Sequence, residues 1–381
     1  MSEWKKVKLG ELYEVHNGLS KGRQFFGSGF PFLTFSNVFN NWFLPNELES
    51  LVQSSEKERQ ICSIERGDVF ITRTSETMNE LGMSSVALKD YPNATYNGFT
   101  KRLRPITDEV LPEYIGYYLR SPKFRGKFMA FSTMTTRASL ANDDLLSMEV
   151  EIPDKSIQHR IASILSRYDS LIENYQKQIK LLEESAQRLY KEWFIDLRFP
   201  GHENTKIVDG VPEGWEKKKI TELLEIKYGK DHKALKDGIY PVYGTGGVMR
   251  YTERYLHNGE SVLIPRKGSL NNILLVNGKF WTIDTMFYSI PKMDFVSKIA
   301  YFNLKEKDMY SFNIGAAVPS MTINILSTMD ILLPSVNIRK DFENVLSKYF
   351  SLTLNLQTQI RHLTEARDRL LPKLMSGEIE V

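Results

Sequence analysis

The chain has 381 residues, 41% hydrophobic and 25% charged, proportions that exclude a disordered or fibrous polymer and leave room for about two to three cores. A net charge of +3 at pH 7 excludes a uniformly basic protein, so any grip on nucleic acid rests on local patches or a partner's field. A single cysteine, Cys62, excludes an intramolecular disulfide and a multi-cysteine zinc site and suits a reducing, cytoplasmic setting; no stretch approaches the roughly 18 apolar residues of a membrane span, and residues 1–15 lack an apolar signal region.

In chain order, residues 4–15 open with Trp4 and a Leu9-Gly10-Glu11-Leu12 motif. An aromatic run follows: Phe25, Phe26, Phe30, Phe32, Phe35, Phe39, Trp42 and Phe43. It fits a core better than a base-stacking surface. Short strands are predicted at 68–72, 86–88 and 149–152, with a helix over 111–131 broken at Pro122. Polar candidates for nucleic-acid contact are Arg73, Thr74 and Ser75 after a strand, Lys101 and Arg102 after Gly98, and the hydroxyl-rich loop ending in Thr135, Thr136 and Arg137. Arg120, Lys123, Arg125 and Lys127 lie on the helix and could track phosphates, because arginine reads base edges while lysine and hydroxyls fix the backbone.

Next comes a heptad stripe: Ile161, Leu165, Tyr168, Ile172, Tyr175, Ile179, Leu182, Ala186, Leu189 and Trp193, alternately four and three residues apart. That spacing predicts a coiled-coil helix. A second mixed segment has predicted strands at 261–264, 273–276, 286–290 and 330–333. Its loop candidates are Tyr243, Gly244, Thr245 and Gly246, then Arg266, Lys267 and Ser269. Glycines let a backbone approach a phosphate or groove closely. Asp284 suits either a contact to cytosine or a turn. A second stripe closes the chain: Phe342, Leu346, Tyr349, Thr353, Leu356, Ile360, Leu363, Arg367, Leu370 and Leu374. Thr353 and Arg367 interrupt its apolar character.

The chain repeats itself. Residues 4–15 align with 215–226 at an offset of 211, and Gly18 falls on Gly229. Residues 148–153 align with 329–334 at an offset of 181, which continues through the helices: Tyr168 meets Tyr349, Asn174 meets Asn355, Leu182 meets Leu363. Starts and ends match; the middles do not. This predicts a shared frame carrying two different inserts. Matched periods favour pairing of the two helices with each other, and an antiparallel pair places one head at each end of a rod about 50 Å long at 1.5 Å per residue.

Several catalytic signatures are absent: a Walker-type phosphate loop, Gly-x-Gly-x-x-Gly, Asn-Pro-Pro-aromatic, His-Glu-x-x-His and Gly-x-Ser-x-Gly. Their absence points to a non-catalytic chain.

In sum of motifs and order, the chain resembles the specificity (S) subunits of type I restriction-modification systems. The resemblance rests on Trp4 with Leu9-Gly10-Glu11-Leu12, on Pro153, Gln158, Ile161-Ala162 and Leu165 entering the first helix, on Tyr243-Gly244-Thr245-Gly246-Gly247 and Arg266-Lys267-Gly268-Ser269, and on the ending at 370–379. The second copy departs at Arg339 and Phe342-Glu343, where Gln158 and Ile161-Ala162 stand in the first. The resemblance implies an α+β fold: two mixed α/β target-recognition domains joined by two long antiparallel coiled-coil helices, as a pseudo-twofold tandem repeat. It implies target-recognition domains at 1–155 and 198–336 and spacer helices at 156–197 and 337–381. It implies a non-catalytic reader of a bipartite, asymmetric sequence in double-stranded DNA. Two methyltransferase subunits and restriction subunits are its expected partners, with S-adenosylmethionine, ATP and magnesium bound by them and not by this chain. A specificity subunit of a type II methyltransferase-nuclease, and a two-headed scaffold without a DNA role, remain the alternatives.

Overall fold

The computed structural model describes residues 4–75, 80–131, 138–139, 141–312 and 320–381. The chain forms two compact units, residues 1–174 with 359–381, and residues 175–358.

In the first unit the strand Lys5–Lys8 pairs antiparallel with Glu149–Ile152. The two sequence anchors of the first copy are therefore hydrogen-bonded to each other. The Leu9 N–H donates to the Met148 carbonyl at 2.9 Å, and a one-turn helix, Leu9–Leu12, follows. The Glu11 carboxylate accepts the Lys8 N–H at 3.1 Å, satisfying a donor that a helix start leaves open. The second unit does the same. Glu216–Lys219 pairs with Asp330–Leu333, Ile220 donates to Met329 at 3.0 Å, and Glu222 accepts the Lys219 N–H at 2.7 Å.

The middles share no sequence but share a topology. In the first unit an antiparallel sheet runs in the order Tyr13–Asn17, Thr100–Pro105, Val69–Thr72, Ser84–Val86. In the second it runs Leu224–Tyr228, Met286–Pro291, Ser261–Pro265, Leu274–Val276. A further strand, Phe26–Leu33, pairs antiparallel with Leu51–Val52 and parallel with Thr95–Tyr96. Its counterpart Asp237–Gly244 pairs antiparallel with Gly247–Thr252 and parallel with Lys279–Thr282. The two inserts thus differ in sequence but share their central strand pairing. Strand pairing needs burial in the right places rather than matching residues, and Val69, Phe70 and Ile71 are as buried as Val262, Leu263 and Ile264. Among the described residues, the first copy carries helices at Phe35–Asn40, Glu56–Ile61 and Pro122–Phe131 without counterparts in the second.

Other local expectations shift modestly. The strand expected at 86–88 lies at Ser84–Val86, set by its register against Val69–Ile71. The helical stretch is two helices, Pro112–Arg120 and Pro122–Phe131, parted at Ser121, whose backbone is extended as the residue before a proline prefers. The aromatic run does not enter a core as a whole. Phe32 is buried, while Trp42 and Phe43 pack half-buried against the core. Phe25, which ends the turn Arg23–Phe25, and Phe26, which opens the strand, are exposed.

The long helices are Lys155–Tyr190, prolonged by a π-turn at Lys191–Ile195, and Val336–Ser376. In the first unit Ile161 and Leu165 share a core with Leu371, Leu374 and Met375. In the second, Ala186, Tyr190 and Trp193 share one with Phe342 and Leu346. In each unit, then, the start of one helix packs with the end of the other, an antiparallel arrangement. Tyr168, Ile172, Ile179, Leu182, Leu189, Tyr349, Ile360, Leu363 and Leu370 are half-buried and Leu356 is buried.

The departure at Arg339 has a physical explanation. Gln158 is buried and donates to the Glu109 carbonyl at 3.0 Å while accepting the Leu111 N–H at 2.9 Å. Arg339 donates to the Asp294 carbonyl at 2.8 Å. Both side chains tie the start of a long helix to the segment leading into the neighbouring short helix, Pro112–Arg120 or Ser297–Lys305. A long guanidinium and a shorter amide perform one task.

Candidate nucleic-acid interface

Each unit carries one arginine immediately beyond a buried central strand, in the same backbone setting. Arg73 follows Val69–Thr72, and its N–H donates to the Phe99 carbonyl at 3.0 Å. Arg266 follows Ser261–Pro265, and its N–H donates to the Thr285 carbonyl at 2.7 Å. Phe99 and Thr285 each directly precede the neighbouring strand. The side chains then reach the strand on the far side. The Arg73 guanidinium donates to Asn17 Oδ1 at 3.3 Å. The Arg266 guanidinium stands 4.9 Å from the Tyr228 ring centre and donates to the Asp284 carbonyl at 2.6 Å. Asn17 and Tyr228 are equivalent at the 211 offset. The frame is constant and the chemistry around the guanidinium differs.

Two glycines make that frame possible. A Cβ on Gly18 would lie 2.1 Å from the Asn97 carbonyl oxygen, and one on Gly229 would lie 2.0 Å from that of Ile283. The backbone passes too close for any other residue, which explains why glycine recurs at the 211 offset.

In the second unit the two candidate loops meet. Asn272 donates to the Thr245 carbonyl at 2.6 Å, and a Cβ on Gly268 would lie 3.2 Å from Thr245 Oγ1. Gly268 has φ +77°, the left-handed region that glycine tolerates. Its carbonyl accepts the Tyr310 hydroxyl at 2.9 Å. Lys267, Ser269 and Gly246 are exposed, Thr245 and Tyr243 are half-buried, and Gly244 is buried. Burial pushes the Tyr243 phenol up. Asp284 occupies an exposed turn.

The first unit gathers fewer of its candidates at the surface. Thr74–Ser75 pairs with Ala138–Ser139; Thr135, Thr136 and Arg137 lie outside the described residues. Lys101 is 4% exposed and its amine is hydrogen-bonded to Asn142 Oδ1; burial and the nearby Arg73 push its pKa down. Arg102 is 3% exposed and donates to the Ser63 carbonyl at 2.7 Å. Arg102 and Lys101 point to opposite faces of the strand, and burial closes both to an external ligand.

The helix cations are likewise committed within the fold. Arg120 donates to the carbonyls of Ser84, Val38, Phe39 and Asn41 at 2.6–2.9 Å, and burial pushes its pKa down to about 10. Arg125 donates to the Leu81 carbonyl at 2.6 Å. Lys123 and Lys127 both pair with Glu151. In the structure Arg120 and Arg125 hold loops together, and Lys123 and Lys127 neutralise Glu151. Among the described residues there is no group of three or more His, Cys, Asp or Glu that could hold a metal ion, and no helix long and apolar enough to cross a membrane.

The repeat also appears in comparisons with known proteins. A family model described as the type I restriction modification DNA specificity domain matches residues 1–184 and again 212–365. This chain belongs to the type I restriction-modification DNA specificity family. The two matches begin at the two copies of the repeat. The MjaIX type I restriction enzyme specificity subunit of Methanocaldococcus jannaschii is 26% identical across all of this chain and 94% of its own length. The HindI specificity subunit of Haemophilus influenzae is 23% identical across the full length of both. The solved S subunit of a type I system from M. genitalium shares the fold, with a TM-score of 0.59 at 16% identity, over 98% of this chain and 96% of that one.

Within that family frame, sequence reading identified both sheet-end arginines but missed their partners. Asn17, Tyr228 and Phe99 were not singled out. The signal for the first two was available, since Asn17 and Tyr228 precede the matched Gly18 and Gly229 by one residue. Phe99 had no such marker, because it lies in the unmatched middle.

Proposed function

We propose that this specificity subunit reads a split, asymmetric sequence in double-stranded DNA, one half with each head. The division is a target-recognition domain at 1–155, a spacer helix at 156–197, a second target-recognition domain at 198–336 and a second spacer at 337–381. The observation that carries the reading is the pair Arg73 and Arg266. They share one backbone position but have different neighbours, Asn17 in one unit and Tyr228 with Asp284 in the other. Thr74, Ser75, Thr135, Thr136 and Arg137 support the first half-site, with Tyr243, Gly244, Thr245, Gly246, Lys267 and Ser269 supporting the second. Arginine makes the most common specific contact to guanine, and hydroxyls, lysine and loop backbone fix register on the phosphates.

The long helices serve as the ruler between half-sites. Two methyltransferase subunits and the restriction subunits dock on this chain in the cytoplasm and carry the chemistry: methyl transfer from S-adenosylmethionine, and ATP- and magnesium-dependent cleavage. The chain itself is the non-catalytic reader. A net charge of only +3 accords with partners that supply part of the electrostatic grip on DNA.

The test is to map modified adenines across the host genome with the wild-type gene, with no gene, and with Arg73→Ala or Arg266→Ala. Loss of one split motif without the gene supports the reading. Each substitution should relax one half-sequence only, by about 1–3 kcal/mol for a base-reading arginine. An unchanged methylome in every case refutes it.

A further inference from the structure

Phe99 combines two properties that rarely meet. Its side chain is 62% exposed, yet its backbone is fixed on both sides. Its N–H donates to Asn97 Oδ1 at 2.9 Å, and its carbonyl accepts the Arg73 N–H at 3.0 Å. Asn97 is itself buried and donates to the Leu33 carbonyl at 3.0 Å. The Thr100 hydroxyl adds a bond to the Asn97 carbonyl at 3.0 Å. Water disfavours a bare phenyl ring, and the backbone that carries this one is held in place by these bonds. Among the described residues no ring or cation pairs with it.

Its position is as specific as its support. Thr72 pairs with Thr100 at the end of the ladder, and in the turn just beyond it the Phe99 carbonyl accepts the Arg73 N–H at 3.0 Å, setting the two residues across from each other. Side chains directly opposite in an antiparallel pair share one face. The ring is therefore presented beside the candidate guanine-reading arginine of the first unit. In the second unit the same position is Thr285, opposite Arg266. There the nearby aromatic is Tyr228, already engaged by the Arg266 guanidinium at 4.9 Å. One unit presents a free ring next to its arginine; the other has its ring taken up by the arginine.

We propose that Phe99 is a specificity-determining wedge. Its ring inserts against a base step adjacent to the Arg73 contact and favours a half-site whose step unstacks easily. Apolar side chains used this way select deformable pyrimidine–purine steps, because the sequence sets the energy of unstacking. A preordered anchor loses little entropy on insertion. This inference rests on the reading of the heads as DNA readers. It predicts an asymmetry that the repeat does not: the first half-site is sensitive to step flexibility at this position, and the second half-site is not.

The test uses the chain assembled with its methyltransferase subunits and duplexes carrying the motif found by methylome mapping. Phe99→Ala, Phe99→Trp, Arg73→Ala and Arg266→Ala are compared for affinity, for half-site selectivity, and for fluorescence of 2-aminopurine placed in the step next to the Arg73 contact, away from the methylated adenine. Phe99→Ala should weaken cognate binding at least tenfold, relax the step preference in the first half-site only, and abolish the fluorescence rise. Phe99→Trp should retain all three. Because the side chain is exposed, thermal unfolding of Phe99→Ala should match the wild type, which separates lost contact from lost fold. Unchanged affinity and fluorescence in Phe99→Ala, with the first half-site relaxed by Arg73→Ala, overturns the wedge and leaves the general reading standing. If neither arginine substitution alters either half-site, the reading of the heads fails and the wedge fails with it.

Discussion

Arg367 of the second long helix donates to Asp169 of the first at 2.6 Å. Arg367 occupies an apolar position of the heptad stripe, where sequence marks it as a flaw. The structure gives it a specific role: its guanidinium also lies 4.8 Å from the Trp42 ring centre, and Asp169 accepts the Tyr117 hydroxyl. Both helices and the sheet domain of the first unit are joined at this one cluster. Polar residues at such positions fix register at some expense of stability.

That cluster is testable by a double-mutant cycle. Arg367→Ala and Asp169→Ala should each destabilise the protein. Their coupling should be about 1–2 kcal/mol, in the range of partly buried charge-assisted bonds. Denaturant midpoints of the four proteins give the coupling; a value indistinguishable from zero would reduce the pair to incidental surface charge.

The matched glycines make a second prediction. Gly18→Ala and Gly229→Ala each place a methyl group inside a carbonyl contact, at 2.1 and 2.0 Å. Each should cost about 1–3 kcal/mol, the usual penalty of overpacking. Urea unfolding measures it. Equal stability of both alanine variants and the wild type would show that the backbone relaxes freely there.

Acid titration offers a third. The Lys21 amine lies 2.8 Å from Glu58, and the Ser55 N–H donates to the same oxygen at 2.7 Å. The hydrogen bond from Lys21, followed by that from Ser55, lowers the Glu58 carboxyl from 4.5 to about 2. A folded value depressed in this way stabilises the fold fully above the unfolded value, and the contribution fades as pH falls toward about 2. Glu58→Gln should therefore be less stable than the wild type near neutrality, and the gap should close in acid. A gap that stays constant down to about pH 2 contradicts the assignment.

The ruler gives the fourth. Adding one heptad to both long helices, beside Lys180 and Thr358, keeps the apolar stripe in phase and lengthens each helix by about 10 Å. Methylome mapping should find both half-sequences unchanged and the gap between them altered. The same gap would separate site spacing from helix length.

The tandem repeat, the two heptad helices and the family are legible in the residues alone, and so is the placement of Arg73 and Arg266 after strands. Those features are local or periodic: a helix stripe recurs every three or four residues, and the repeat's anchors, such as Trp4 with Trp215, carry matching side chains. Only the tertiary structure decided that the unmatched middles share one topology, because Val69–Thr72 and Ser261–Pro265 are placed by non-local pairing and burial, which many residue combinations satisfy. Only folding separates the candidate contact arginines from those bound up in the protein itself. Arg73 and Arg120 are both strand- or helix-end arginines in the sequence, but Arg120 meets four carbonyls from distant loops. A charge along the chain does not reveal which acceptors folding brings around it, and that encirclement fixes whether an arginine holds the protein together or stands ready for a ligand.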